Sequence, residues 1–168
     1  MTPVPTGGGP VPHVAVVGGG TPDPAADAAA TEVGRLVAEA GAVLVCGGLG
    51  GVMEAACRGA AEAGGLTVGI LPGGDRDAAN PWVRVAVATG LGELRNGVVV
   101  GSADVVVAIG GEYGTLSEIA LALRAGRPVV GLGTWSLVRP DGAPDARLVV
   151  VTDPDDAVSR ALALAGRR

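Results

Sequence analysis

Lysine is missing altogether from the 168-residue sequence, and two chemistries go with it. No internal Schiff base can form with pyridoxal phosphate, and no Walker-A lysine can reach a phosphate. Phenylalanine is also absent, and the aromatics are one Tyr and two Trp, too few for a platform that stacks nucleic-acid bases. A single His, His13, excludes a cage of several imidazoles and leaves any His-based proton transfer to that one residue. Two Cys, at 46 and 57, make neither a CxxC pair nor a disulfide framework, which fits a reduced, cytoplasmic protein. Seventeen acidic residues against twelve Arg leave a formal charge of −5. That balance offers no footprint for a phosphate backbone, so nucleic acid is not an expected partner. No apolar run approaches the roughly 20 residues of a membrane helix, so a membrane is not expected either. The opening MTPVPTGGGPVP lacks the basic start and apolar centre of a signal peptide, and residues 1–12 read as a disordered Pro/Gly-rich tail.

What is present is glycine, 30 residues of it, within a chain that is 48% hydrophobic. From His13 onward, Val-rich runs alternate with Ala-rich helical patterns. HVAVVGG (13–19), AVLVCGG (42–48), TVGILPGG (67–74), VRVAVATG (83–90), DVVVAIGG (104–111), RPVVGLG (127–133) and RLVVV (147–151) read as strands. Most are apolar without alternation, the pattern of strands covered on both faces in a parallel sheet. The expectation is an α/β chain over residues 13–168: one Rossmann-like, doubly wound domain with a mostly parallel sheet and helices on both faces. Asp23-Pro24 and Asp153-Pro154 each read as an N-cap with proline at the first helical position. The rows Glu32, Arg35, Glu39 and Glu54, Arg58, Glu62 read as solvated helix faces. The Pro/Gly-rich stretch from Trp135 to Arg147 reads as a surface excursion.

An open parallel sheet binds ligands beyond the carboxyl ends of its strands, and the glycines gather there. Gly18-Gly19-Gly20-Thr21 follows the first strand, Gly47-Gly48-Leu49-Gly50-Gly51 the second, and Gly110-Gly111-Glu112-Tyr113-Gly114-Thr115 the fifth. Glycine admits a ligand close to the backbone, and the free N–H groups of a helix start favour an anion. Several such loops on one edge point to a nucleotide-sized, phosphate-bearing small molecule, although each loop can also be no more than a tight turn. The dinucleotide fingerprint matches poorly, because Met53 stands where its third glycine belongs. Arg95, after the fourth strand, can hold phosphate or stabilise negative charge, and it can equally be a surface residue. Glu118 can move a proton or support a cationic sugar transition state. Thr115-Leu116-Ser117-Glu118 also reads as a capping box, in which the two polar side chains satisfy each other's backbone donors. Cys46 ends a strand near the glycine edge and can touch a ligand, but reads first as a core residue. Met53 and Tyr113 can contact a ring or simply pack, and the polar loop holding Asp75, Asp77 and Asn80 can cover the ligand. His13 reads as solvated, and no cluster has metal-ligand spacing.

The runs VCGGLGGVME (45–54), TGLGELRN (89–96) and GGEYGTLSEIALAL (110–123) together resemble the superfamily of LONELY GUY phosphoribohydrolases and molybdenum-cofactor carrier proteins. The resemblance covers roughly residues 13–134. Members often carry a lysine decarboxylase label, which a chain without lysine does not support. In the hydrolases the motif is PGGxGTxxE with an upstream Arg-Lys pair, and the implied activity is cleavage of a nucleoside 5′-monophosphate to base and ribose 5-phosphate, with no cofactor required. The resemblance makes Arg95 and Glu118 the catalytic pair. It puts Gly111, Gly114 and Thr115 in the phosphate site; the reading of the sheet edge adds Gly19, Gly20, Gly47, Gly48, Gly50, Gly51, Met53, Asn96 and Tyr113 to the candidate binding set. Gly110, Glu112 and Asn96 depart from the pattern, replacing its proline, second glycine and lysine. These departures lie nearer the carrier branch, whose implied ligand is a pterin-bearing molybdenum cofactor. A phosphoribohydrolase-like enzyme is therefore the leading expectation, and a non-catalytic carrier of molybdenum cofactor or a nucleotide is the alternative. The resemblance also implies a homodimer.

Overall fold

Each Val-rich run becomes a strand where the pattern places it. The computed structural model describes residues 9–166, with strands β1 (His13–Gly18), β2 (Val43–Cys46), β3 (Thr67–Leu71), β4 (Val85–Ala88), β5 (Val105–Ile109), β6 (Val129–Leu132) and β7 (Leu148–Val151). Five α-helices intervene: α1 (Pro24–Glu39), α2 (Val52–Glu62), α3 (Arg95–Gly101), α4 (Tyr113–Arg124) and α5 (Pro154–Ala165). The expected tail falls partly outside the described residues, which begin at Gly9. Within them, the Pro12 carbonyl already accepts from the Val43 N–H at 2.9 Å.

The strands form one sheet in the order β4-β3-β2-β1-β5-β6-β7, and all six pairings are parallel. The chain winds outward from β1 to β4, then returns past β1 to continue through β5. The winding therefore reverses between β1 and β5, and the crevice beyond their carboxyl ends is the preferred ligand position in such folds.

The lack of alternation in the strands follows from two cores. Val14 and Val16 of β1 and Val105, Val107 and Ile109 of β5 face α1, α2 and α5. Their neighbours Ala15, Val17, Val106 and Ala108 face α3 and α4. Side chains point alternately to the two faces, so a strand covered on both must be apolar at every position. The edges differ: Val85, Val87 and Val150 are exposed on β4 and β7, the outermost strands among the described residues. No helix among the described residues is long and apolar enough to cross a membrane.

Both Asp-Pro starts form as the spacing predicts. Asp23 accepts from the N–H groups of Ala25 and Ala26 at 3.0 and 3.3 Å, and Asp153 accepts from Asp156 at 2.9 Å. On the solvent side of α1, Arg35 pairs with Glu32 and Glu39. The second charged row makes no such pairs among the described residues. There, Arg58 donates to Thr31 Oγ1 across the α1–α2 contact at 3.1 Å.

Candidate functional site

The glycine loops after β1 and β2 interlock. Gly51 caps α2 with φ 64°, and a Cβ on it would run into the carbonyl of Gly19. The Val52 N–H donates to that same carbonyl at 3.0 Å. Only glycine provides both the left-handed backbone and the empty space. Gly47 makes a second close approach, because a side chain there would collide with the guanidinium of Arg95 and the sulfur of Met53.

Arg95 enters this space from the start of α3. Its Nη1 donates to the carbonyl of Gly47 and, at 2.7 Å, to that of Ile70. The guanidinium thus ties the ends of β2 and β3 together. Its Nε is buried without a hydrogen-bond partner among the described residues. Burial depresses the Arg95 pKa, while Glu118 and Cys46 oppose that shift.

After β5 the chain turns through Gly110 and Gly111, with φ 55° and 109°. Glu112 then takes an extended cap conformation, and α4 begins at Tyr113 without a side-chain cap. This corrects the capping-box expectation. The glycine turn starts the helix early, so Thr115 and Glu118 are its third and sixth residues rather than its cap and third residue. Thr115 is only 2% exposed, and its Oγ1 is buried with no partner among the described residues. A buried hydroxyl left unpaired costs on the order of 1–3 kcal/mol, so a ligand acceptor or donor is the natural complement. The first N–H groups of a helix also lack intrahelical partners. From the segment after β6, Thr134 Oγ1 donates to the Gly110 carbonyl at 2.5 Å and Trp135 Nε1 to the Glu112 carbonyl at 3.1 Å, pinning the turn.

Glu118 lies one turn further along α4, 8% exposed. Burial pushes its carboxyl up to about 7, and the nearby Arg95 charge only partly offsets this. Near neutral pH it can therefore either donate or accept a proton.

These elements enclose a cleft of about 320 Å³ beyond β1, β2 and β5, at the lower end of the range for small-ligand sites. Of the expected residues, Gly19, Gly20, Gly47, Met53, Arg95, Asn96, Gly114, Thr115 and Glu118 line it. Gly48, Gly50, Gly51, Gly111 and Tyr113 do not. Gly48 and Gly51 shape the β2–α2 turn, Gly50 lies beside the Gly20 carbonyl, and Gly111 packs over Thr115. Tyr113 is 79% exposed and packs its ring against Trp135 at a centroid distance of 5.5 Å, outside the cleft. Residues the sequence did not single out for binding also line the wall, among them Leu49, Pro72 and Glu93. Glu93 was the findable one, standing two positions before Arg95 in GLGELRN. Glu112, noted earlier only as a departure, faces the cleft as well. The polar loop is drawn in through Asn80, whose Nδ2 donates to the Leu49 carbonyl at 2.9 Å, whereas Asp75 and Asp77 remain exposed. No cluster of three or more His, Cys, Asp or Glu is placed to hold a metal among the described residues.

A second hollow of about 560 Å³ lies across the Gly110 turn, between α1 and the ends of β5, β6 and β7. Its wall carries no buried ionisable group among the described residues.

Comparison with known proteins gives consistent matches. Residues 11–158 match the SLOG cluster4 family. An uncharacterised protein of Archaeoglobus fulgidus is 46% identical over 120 residues, or 71% of this chain and 79% of that protein. The structure of the molybdenum cofactor binding protein from Rippkaea orientalis superposes with a TM-score of 0.83 at 34% identity, covering 92% of this chain and 98% of that one. The molybdenum cofactor carrier protein of Chlamydomonas reinhardtii gives 0.81 at 34% identity, covering 94% and 100%.

Proposed function

The chain belongs to the SLOG cluster4 family, and from that premise we propose that it is a cytoplasmic carrier that binds molybdenum cofactor, a phosphorylated pterin, as cargo in the cleft between β1 and β5. The observation that carries this reading is the buried, unpartnered hydroxyl of Thr115 below the uncapped start of α4. The hydroxyl and the first-turn N–H groups together suit a phosphate. Glu93 and Glu112 can accept from the N–H edges of a pterin. Glu118, neutral over part of the physiological range, limits the repulsion its own carboxylate would exert on an anion.

The same geometry disfavours the hydrolase expectation. Arg95 spends two hydrogen bonds on the Gly47 and Ile70 carbonyls, which makes it a positioning residue for the loops. Asn96 stands where the hydrolases have lysine, and among the described residues lining the cleft Arg95 has no second cation beside it. One observation favours cleavage as the second reading, namely a buried Glu118 that titrates near neutrality and can act as a general acid or base.

Exposed apolar side chains on the edge strand β4 and around α3 support self-association as a homodimer. Val85 and Val87 of β4, with Leu91, Leu94 and Val98 beside and along α3, are all exposed.

The test is to incubate the protein with molybdenum cofactor and, separately, with a panel of nucleoside 5′-monophosphates. A carrier retains the pterin and its molybdenum through gel filtration and releases no free base. Release of base that is lost in Glu118→Gln, without cofactor retention, supports the hydrolase instead.

A further inference from the structure

Directly beneath the β2 glycine loop lies a pair of thiols that neither reading uses. Cys46 ends β2 and Cys57 stands in α2, and their Sγ atoms are 3.3 Å apart in hydrogen-bond contact. Both are free and fully buried. Ten residues separate them, and these include the whole Gly47–Gly51 loop and Met53, which lines the cleft. The Gly48 N–H donates to Cys46 Sγ at 3.2 Å, so the sulfur already anchors the loop.

We propose that Cys46 and Cys57 are a reversible oxidation site, forming an intramolecular disulfide with hydrogen peroxide as oxidant and resetting the Gly47–Gly51 loop when they do. The Cys46 thiolate attacks one peroxide oxygen. The O–O bond breaks, Cys46 becomes a sulfenic acid, and the other oxygen leaves as water after taking a proton. The Cys57 sulfur, giving up its proton, then attacks the sulfenic sulfur; the S–S bond forms, the S–O bond breaks, and a second water departs. Two electrons pass to the peroxide and the chain loses two hydrogens. A thiol reductant reverses the step.

Cys46 is the nucleophile because the Cys57 hydrogen bond, the Gly48 N–H and the Arg95 charge draw its pKa down against the opposing effects of burial and the Glu118 charge. The same contact and burial push Cys57 up, consistent with its acting second. A disulfide brings the sulfurs to about 2.0 Å, so they must close by more than 1 Å from the 3.3 Å seen here, and movement of the Cys46 sulfur disturbs the bond it accepts from the Gly48 N–H. Gly47 has Arg95 and Met53 packed where a Cβ would lie, so the loop cannot absorb that movement unchanged. Because both thiols are sealed, oxidation proceeds through local opening of the loop.

Trypsin provides a direct readout, since no Lys or Arg lies between Arg35 and Arg58 and both cysteines fall on one peptide, residues 36–58. Folded protein is treated with hydrogen peroxide, unfolded in an alkylating agent and digested, and amide hydrogen exchange across residues 47–53 is measured in parallel. The expected product is an unalkylated peptide lighter by two hydrogens, restored by dithiothreitol, with at least a threefold change in exchange over 47–53 that reverses with it. Oxygen added at Met53 is distinguished by its mass. Cys57→Ala should show neither the crosslink nor the reversible change; if that variant fails to fold, oxidised and re-reduced wild-type protein supplies the control. The proposal is overturned if both thiols stay alkylatable under treatment that crosslinks the urea-unfolded chain, if they overoxidise without crosslinking, or if the crosslink leaves exchange unchanged. None of these outcomes depends on which cargo the cleft holds.

Discussion

Glu118 carries the most pH-sensitive charge in the cleft, and its sign sets a stability trend. Its carboxyl is raised from an ordinary 4.5 to about 7, chiefly by burial. Below 4.5 the group is neutral in both the folded and unfolded chain. Between the two values the folded protein holds a proton that the unfolded chain has lost, so this stabilisation disappears as pH rises through about 7. The shift corresponds to about 3 kcal/mol. Denaturant melts across pH 4.5–8 should show wild-type stability falling relative to Glu118→Gln by that order; parallel curves would mean that the carboxyl is not desolvated. The identities of Arg95, Thr115 and Glu118 were legible in the sequence because motif spacing survives without coordinates. Their partners were not. The left-handed Gly110–Gly111 turn decides where α4 starts, and that backbone choice turned a presumed cap into an unpaired hydroxyl. Likewise the two carbonyls that occupy Arg95, those of Ile70 and Gly47, lie 25 and 48 residues away.

At the scale of elements, α1 and α2 meet more closely than side chains would permit. A Cβ on Gly34 would overlap the Ala56 carbonyl, and one on Gly59 would overlap the Thr31 carbonyl. Gly34→Ala or Gly59→Ala should cost about 3 kcal/mol or more in denaturant unfolding, because neither clash is relieved by rotating a side chain. By contrast, Gly101 ends α3 with nothing near its missing Cβ, and Gly101→Ala should leave stability unchanged or raise it by about 0.5 kcal/mol. If the two kinds of substitution cost the same, backbone contact does not set the α1–α2 spacing. Strands and Asp-Pro caps could be read from the sequence, since apolar runs and capping residues act locally. The role of these helix glycines could not, because it depends on which backbone lies opposite.

For the whole molecule, alternation of strand and helix implied a doubly wound parallel sheet, and the ligand edge followed from it. Which strands lie outermost needed the structure, which shows exposed apolar side chains on the edge strand β4 and around the start of α3. Leu94 is 78% exposed there. In sedimentation the wild-type chain should run as a dimer, and Leu94→Glu should weaken association at least tenfold without loss of fold; a monomeric wild type would contradict the proposed homodimer. The cleft itself is tested most directly by Thr115→Val, which keeps the shape and removes only the unpaired hydroxyl. Equilibrium titration with molybdenum cofactor, alongside thermal melting, should show affinity falling about tenfold, equivalent to about 1.4 kcal/mol, while the melting temperature holds or rises. Equal affinity in the two proteins would contradict phosphate capture at the start of α4, and with it the carrier reading.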